Sequence, residues 1–310
     1  MATPTGFQEK PETIAQPPAA RAAQWMGRAW HTFVRDPRLW FGIILLLFIV
    51  AAIFAPFVSP YPPLLYHPAL SAQGPTLAHP LGTDGLGRDQ LSRVIYGTRI
   101  SLTVGIASIL VGGLCGTLLG IVGAYFRGWV DQLIIMIVDT LLSFPSLILA
   151  LAIVAALGPS LINVTIALAI VRIPIYARLA RGQTLQAATQ DYVTAAVLSG
   201  TRTRKIMFRH ILPNIFSPLL VQSTISISFA ILDESTLSFL GLGAQPPTPE
   251  WGSMISDAQV YLNSDPWMLL GPALAIVLIV LSLNILGDAL RDHLDPRSRD
   301  ITRMSALMQE

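Results

Sequence analysis

The chain contains six long apolar stretches, and these limit what it can fold into more than any other feature of the sequence. A helix that crosses a lipid bilayer needs roughly 20 consecutive, mostly apolar residues. Stretches that meet this requirement occur at 39–58, 100–125, 133–157, 161–177, 211–232 and 267–287. Charged residues make up only 12% of the chain, about half of the roughly 25% found in ordinary globular proteins. The sequence therefore predicts an all-α, polytopic membrane protein with six transmembrane helices.

The distribution of Lys and Arg predicts which side of the membrane each loop occupies. Of the 20 such residues, three lie in the loop between the first two stretches and one lies inside the fourth stretch. The others lie in the terminal segments and in the connections that follow the second and fourth stretches. Because basic residues concentrate on the cytoplasmic side of membrane proteins, both termini are expected in the cytoplasm.

These assignments divide the chain into five parts. Residues 1–38 are predicted to be a cytoplasmic N-terminal arm, partly disordered because it is rich in Ala, Pro and Thr. Residues 39–58 form the first transmembrane helix, and residues 59–99 form an outer loop. Residues 100–290 form the core, with the five remaining transmembrane helices. Residues 291–310 form a cytoplasmic tail.

The sequence lacks the residue patterns of enzyme active sites. A Walker A phosphate loop needs a lysine directly after a glycine, because that lysine contacts the nucleotide phosphates. The only two lysines, Lys10 and Lys205, follow a glutamate and an arginine. The histidines show no zinc-binding pair, there is no Gly-x-Ser-x-Gly elbow, and a net charge of +2 gives no basic footprint for nucleic acid. We therefore expect no catalytic residue, metal site, cofactor or nucleic-acid partner.

The polar connection between the fourth and fifth stretches carries the most distinctive pattern. It favours a helix over about residues 187–205 that faces the cytoplasm. Ala195, Ala196, Ser199 and Gly200 are small residues at spacings that share one helix face. Such a face lets another surface approach the helix backbone closely, and a basic cluster follows it. The alternative is an ordinary inner loop whose bases only follow the positive-inside bias.

The same connection resembles the cytoplasmic loop of permease subunits in binding-protein-dependent ABC importers. That family has the pattern Glu-Ala-Ala-x3-Gly-x9-Ile-x-Leu-Pro, and the two alanines, the glycine, the leucine and the proline are present here at the matching positions. Thr194 replaces the expected Glu, and His210 replaces the expected Ile. The resemblance implies that this loop couples the chain to a partner ATPase. The residues implied in that contact are Thr194, Ala195, Ala196, Ser199, Gly200, Arg202, His210 and Pro213.

Three further stretches, at 79–93, 237–252 and 284–296, resemble the second permease of dipeptide or oligopeptide importers. This resemblance implies an ABC type I importer permease fold in the lipid bilayer of the bacterial inner (plasma) membrane. It also implies three kinds of protein partner: a homologous permease subunit, two ABC ATPase subunits and an extracytoplasmic solute-binding protein. The solute stays open between dipeptides, oligopeptides, glutathione and nickel complexes.

Charged and helix-breaking residues near the apolar stretches are candidates for the translocation pathway or its gate. These candidates are Asp139, Ser143, Pro145, Asp233 and Glu234. An acid in a membrane helix is costly unless it is paired or faces water, so Asp139 either lines a pathway or forms a pair within the bundle. Pro145 removes a helical hydrogen bond and predicts a kink. Asp233 and Glu234 form either an outer gate or docking surface, or a solvated helix end.

Other residues receive structural interpretations. Arg172 is expected to extend its head group to the inner membrane interface, and Trp251 and Trp267 are expected to anchor the chain at the outer one.

A cation-coupled secondary transporter, with the acids and the arginine of the spans as coupling sites, is the remaining alternative class of protein. Glycines spaced four residues apart in the second stretch predict close helix packing, within the chain or against a partner. They are Gly112, Gly116 and Gly120.

Overall fold

The computed structural model describes residues 37–294. The predictions for the N-terminal arm before residue 37 and for the tail from residue 295 lie outside the described residues. The chain divides into two compact units, Met1–Trp40 and Phe41–Glu310. The described part of the first unit, residues 37–40, is a single helical turn. The second unit contains every contact discussed below.

Nine α-helices follow one another in the described part of the chain, which contains no β-strand, so the all-α prediction is confirmed. In chain order they are α1 (Pro37–Val58), α2 (Gln90–Phe126), α3 (Gly128–Leu142), α4 (Ser146–Leu157), α5 (Leu161–Ala187), α6 (Asp191–Leu198), α7 (Thr203–Phe239), α8 (Trp251–Ala258) and α9 (Trp267–Leu294). Helix α7 includes a π-helical turn over Ile206–Ile211 near its start.

Five of these helices, α1, α2, α5, α7 and α9, are long and apolar enough to cross a membrane. The third predicted stretch forms two helices, α3 and α4, which are bent by 90° relative to each other and give a sixth span if the bent pair is taken as one. Pro145 lies at the break. It has no backbone N–H and cannot continue the hydrogen-bond ladder, and its ψ of 129° turns the chain. The six predicted stretches are thus all helical, and the predicted kink at Pro145 is confirmed.

Several helices extend beyond the apolar stretches that predicted them, among them α2 and α5. Helix α2 begins at Gln90 rather than at residue 100. Asp89 caps it, because its carboxylate accepts a hydrogen bond from the backbone N–H of Ser92 at 2.7 Å. The loop between the first two spans, predicted to be an outer loop, therefore ends at residue 89 instead of 99. Helix α5 likewise continues to Ala187, past the last apolar residues of its span.

Helices α2 and α5 pack with their backbones in contact. A Cβ atom added to Gly112, Gly116 or Gly120 would strike a main-chain carbonyl oxygen of α5. The three oxygens belong to residues that are also spaced four apart: Ala169, Ile173 and Ala177. The predicted close packing is confirmed, and it occurs within the chain.

Buried apolar side chains form three clusters among the helices. The first lies where α2, α5, α6 and the start of α7 meet. The second joins α2, α4, α5 and the end of α7. The third joins α2, α7, α8 and α9. The connection between α7 and α9, residues 240–266, packs into the third cluster through Trp251 and Met254 of α8, and we call it the outer segment.

Candidate functional site

Helix α6 forms a separate short helix in the polar connection between α5 and α7. It spans Asp191–Leu198, so the helix predicted over 187–205 is shorter than expected and is interrupted on both sides. Gly200 explains where it ends, because its φ of +70° lies in the left-handed region that favours glycine. The N–H of Gly200 donates a hydrogen bond to the carbonyl oxygen of Val197 at 3.0 Å and closes the last turn.

The two faces of α6 differ in burial. Val193 and Ala196 lie in the buried cluster with α5 and α7, whereas Ala195 and Ser199 are exposed. The expectation that Ala196 belongs to a free small-residue face is therefore wrong, because the start of α7 packs against that side. The exposed face carries Leu198 near its centre and two further large apolar side chains, Tyr192 and Val197, at its edges.

The sequence patterns did not single out these three apolar residues, because only the small residues of this segment were interpreted. A signal was available, since large apolar residues are unusual in a polar connection. Leu198 is 83% exposed, and Tyr192 and Val197 of the same short helix are exposed with it; exposed apolar residues grouped in this way mark interaction surfaces. Helix α6 thus presents an apolar surface that its own chain leaves uncovered in the described residues.

The other predicted coupling residues lie around α6. Thr194, Gly200 and Arg202 are exposed, and Pro213 is exposed near the start of α7. His210 is half-buried, and its carbonyl oxygen accepts a hydrogen bond from the side-chain amide of Asn214 at 2.6 Å. Six of the eight residues are therefore exposed, His210 is half-buried and Ala196 is buried.

Asp139 forms an ion pair with Arg178 of α5, with Asp139 Oδ1 and Arg178 Nη2 2.6 Å apart. Both side chains are more than half exposed, and they line a pocket of about 260 Å³ between α3 and α5. A second pair, Asp131 with Arg181, joins the same two helices at 2.7 Å. The predicted pairing of Asp139 is thus observed, with a residue of the neighbouring helix, and its place in a pathway lining stays a prediction.

Arg172 is buried inside the bundle and does not reach the membrane interface. Its guanidinium forms an ion pair with the carboxylate of Asp233 on α7. The ring of Phe229 lies 6.0 Å from the guanidinium carbon. The interpretation of Arg172 as an interfacial residue is wrong, because an available acid on the neighbouring helix satisfies its charge in the interior.

Glu234 is fully buried beside Asp233 and points to a different neighbour. Its carboxylate oxygens lie 3.2 Å from the hydroxyls of Ser101 on α2 and Ser238. The outer segment packs close by, since a Cβ atom on Gly252 would lie 2.0 Å from the carbonyl oxygen of Ser235. The interpretation of Asp233 and Glu234 as a solvated helix end is therefore wrong, and the two acids do not form one site.

Glu250, in the outer segment, caps the start of helix α8. Its two carboxylate oxygens accept hydrogen bonds from the backbone N–H groups of Gly252 at 2.7 Å and Ser253 at 2.8 Å. Burial raises the pKa of the Glu250 carboxyl above its ordinary value, although these two hydrogen bonds act in the opposite direction.

Trp251, the first residue of α8, is also buried. It is 0% exposed, and its indole N–H donates a hydrogen bond to the carbonyl oxygen of Val94 on α2 at 3.0 Å. The prediction that it anchors the chain at the membrane interface is wrong. Trp267 is 49% exposed, so its interfacial role stays a prediction. Within residues 37–294, no three His, Cys, Asp or Glu side chains are grouped to bind a metal ion.

A family profile described as "Binding-protein-dependent transport system inner membrane component" matches residues 116–300, more than half of the chain. The chain belongs to this family. A second profile, described as "N-terminal TM domain of oligopeptide transport permease C", matches residues 24–77.

This binding-protein-dependent permease has relatives at 45% identity. The dipeptide transport system permease protein DppC of Alkalihalophilus pseudofirmus aligns over 83% of this chain and 84% of its own length. The di/tripeptide transport system permease protein DppC of Pseudomonas aeruginosa aligns over 87% and 92%. The glutathione transport system permease protein GsiD of Pectobacterium atrosepticum aligns over 86% and 90%.

The permease also shares its fold with a chain of the MetNI methionine ABC transporter in an inward-facing conformation. The TM-score is 0.55 at 17% identity, and the match covers 65% of this chain and 96% of that chain. The fold is thus that of an ABC type I importer permease. Together with its apolar spans, the family assignment makes this chain a multi-pass transport subunit of the bacterial inner membrane.

Proposed function

We propose that this permease serves an ATP-driven importer of dipeptides and oligopeptides and forms half of its translocation pathway. A homologous permease subunit forms the other half, and an extracytoplasmic binding protein delivers the solute. Two separate ABC ATPase subunits hydrolyse the ATP, in agreement with the lack of a Walker A lysine in this chain. The relatives named for dipeptides and di/tripeptides support the choice of solute.

The exposed face of α6 is the observation that carries the coupling part of this proposal. The face is made of Tyr192, Val197 and Leu198, with Ala195 beside them. It follows that an ATPase subunit covers these apolar side chains and that movements of the ATPases are transmitted through α6. Because the other face of α6 is packed against the start of α7 through Ala196, a force on α6 reaches a membrane-spanning helix directly.

The coupling proposal is tested by placing a charge on the exposed face. In the complete complex, Leu198→Asp should leave the permease in the membrane but weaken ATPase binding by about tenfold or more, since buried apolar anchors dominate interface energies. Copurification of the ATPases and ATP-driven uptake are the measurements. The matched control is Val260→Asp in the outer segment, where the valine is 85% exposed and ATPase copurification should be unchanged. Normal copurification and uptake with Leu198→Asp would contradict the proposal.

The break between α3 and α4 is our proposal for the pathway lining. Asp139, Ser143 and Pro145 are all exposed there, unlike Asp233 and Glu234. Asp233 and Glu234 hold α7 against α5, α2 and the outer segment. We therefore propose that these two acids stabilise the helix packing around the gate and do not contact the solute.

Glutathione is a second candidate solute, because relatives named for glutathione transport match at the same 45% identity. The two candidates are separated in proteoliposomes that contain all subunits and the cognate binding protein. Uptake of a radiolabelled dipeptide should be saturable and should be reduced by excess unlabelled dipeptide but not by glutathione. The reverse pattern of competition would replace the peptide assignment with glutathione.

A further inference from the structure

An apolar groove of about 540 Å³ runs along the surface of the bundle between α1 and α2. One wall comes from residues 49–53 of α1, and the other comes from residues 99–110 of α2. Four apolar side chains of these walls are more than a third exposed: Ile49, Ile53, Ile106 and Leu110. The described part of the chain therefore leaves this apolar groove uncovered.

The groove exists because α1 packs on the bundle through a neighbouring face. Leu45, Phe48 and Ala52 of α1 pack against the third buried cluster. The rings of Phe48 and Trp251 meet edge to face, with their centroids 5.9 Å apart. Among residues 37–58, only Ala55 is buried. Most of α1 thus has no protein of the described chain against it, including the side that faces the groove.

Arg99 supplies the charge of the groove. Among the described residues that line it, Arg99 is the only charged one. Its side chain is exposed, and within residues 37–294 it forms no ion pair. The hydroxyl of Thr103, which also lines the groove, donates a hydrogen bond to the carbonyl oxygen of Arg99 at 2.6 Å. The guanidinium of Arg99 is therefore the polar group that the groove offers to a ligand.

The groove has the length of one leaflet of a bilayer. The apolar stretch of α2 begins at residue 100, so Arg99 lies at the membrane boundary, on the side of the predicted outer loop. Residues 99 and 110 are separated by about 17 Å along α2 at 1.5 Å per residue, and half of the hydrocarbon layer is about 15 Å thick. The apolar walls therefore extend from the boundary to about the middle of the bilayer, as a lipid acyl chain does.

We propose that this groove binds an anionic phospholipid of the bilayer, with its phosphate at Arg99 and one acyl chain between α1 and α2. A guanidinium can donate two parallel hydrogen bonds to a phosphate, and basic pockets between transmembrane helices bind anionic head groups. Phosphatidylglycerol suits a single arginine better than phosphatidylethanolamine, because the ammonium of the latter compensates its own phosphate. The bound lipid joins α1 to α2, and the proposal does not depend on the solute or the ATPase partners.

A helix of another subunit is the competing occupant, and the groove is too narrow to hold one. With its open side included, the empty space of the groove is about 990 Å³. Spread over about 17 Å of helix length, this volume corresponds to a mean cross-section of about 60 Å². A helix that is about 10 Å wide with its side chains has a cross-section of about 80 Å². An acyl chain has no side chains and fits lengthwise.

Lipid titration of the purified complex with all subunits tests the proposal. The delipidated complex in detergent is titrated with palmitoyl-oleoyl phosphatidylglycerol or with the matching phosphatidylethanolamine, and bound lipids are counted by native mass spectrometry. We expect a phosphatidylglycerol site that Arg99→Gln weakens by about tenfold, because a charged hydrogen-bond partner is lost. Arg99→Lys keeps the charge and should retain most of the affinity. Phosphatidylethanolamine should bind more weakly to the wild type.

Two further variants separate the acyl chain from the head group. Ala107→Phe fills the groove but leaves Arg99 in place, and it should weaken the binding of phosphatidylglycerol as well. The matched control is Arg127→Gln, which removes another exposed arginine at the opposite end of α2. This control should leave the binding of phosphatidylglycerol to the groove unchanged.

Three results would overturn the proposal. The first is phosphatidylglycerol binding that is as strong in Arg99→Gln as in the wild type, and the second is an equal loss of binding in Arg127→Gln. The third comes from a benzophenone amino acid placed at position 110 in the complete complex. A cross-link from this position to another subunit, instead of to lipid, would show that protein covers the groove.

Discussion

The guanidinium of Arg172 forms an ion pair with the carboxylate of Asp233 between helices α5 and α7, in the interior of the bundle. The two residues are 61 positions apart in the chain. A charge removed from water is costly unless its partner is well placed, so this pair favours one relative arrangement of the two helices. The pair of Asp139 with Arg178 differs, because both its side chains are more than half exposed.

Breaking the buried pair should destabilise the protein strongly. Arg172→Ala leaves the carboxylate of Asp233 buried without a partner, and we expect a loss of about 3–5 kcal/mol in the free energy of unfolding. Thermal denaturation of the purified complex in detergent is the measurement. Replacing both residues by apolar ones (Arg172→Met with Asp233→Leu) should recover most of the loss. The control Arg178→Ala breaks an exposed pair and should cost at most about 1 kcal/mol.

The backbone contact between α2 and α5 gives a second prediction. Gly116→Ala places a methyl group against the carbonyl oxygen of Ile173 and should destabilise the protein by about 1–3 kcal/mol. The matched control is Gly182→Ala on α5, where a Cβ atom meets nothing within 4 Å. That variant should be neutral, or stabilising by up to about 1 kcal/mol, because alanine favours helix. Equal melting temperatures for the two variants would contradict the contact.

The left-handed conformation of Gly200 gives a third prediction. Gly200→Val puts a β-branched side chain at a φ of +70° and should strain the end of α6 by at least about 1–2 kcal/mol. Gly200→Asn should be tolerated, because asparagine adopts this conformation more readily. The measurement is ATP-driven uptake at equal amounts of membrane-inserted protein. We expect it to fall with valine and to persist with asparagine. A valine variant as active as wild type would show that the end of α6 has no bearing on coupling.

The drive for transport gives a fourth prediction. Asp139→Asn removes the charge but keeps a hydrogen-bond acceptor for Arg178, and we expect substantial uptake in proteoliposomes with all subunits present. A protonophore should have no effect while the ATP concentration is held constant. Uptake that collapses with the proton gradient at fixed ATP would restore the cation-coupled alternative.

Features that depend on local sequence were predictable. Hydropathy is a property of neighbouring residues, and it predicted all six apolar spans. The missing N–H of Pro145 predicted the kink, and the four-residue spacing of Gly112 and Gly116 predicted a close helix contact. The polar connection was predicted to contain a helix, and α6 lies there. Hydropathy alone underestimated the helical extent of α2 and α5, because a helix continues through polar residues where hydropathy falls.

Features that depend on distant partners were not predictable from one sequence. Arg172 meets Asp233 and Glu234 meets Ser101 only after the helices have packed, whereas a hydropathy scale counts each charged residue separately. The burial of Ala196 and Trp251 has the same origin. Which face of a short helix is covered depends on where the neighbouring helix packs against it. The spacing of residues within the short helix does not specify that position.

The right-angle bend between α3 and α4 has a consequence for where lipid can touch this protein. The two helices have 15 and 12 residues, or about 22 and 18 Å at 1.5 Å per residue, so neither crosses a hydrocarbon layer of about 30 Å alone. A crossing made by the pair puts the turn at Ser143–Pro145 inside that layer, where acyl chains cannot hydrogen-bond its free peptide groups. Such a turn is stable only against protein or water. We therefore expect that lipid does not contact the face that exposes Phe144. In the assembled transporter, water or another subunit should cover this face throughout the cycle.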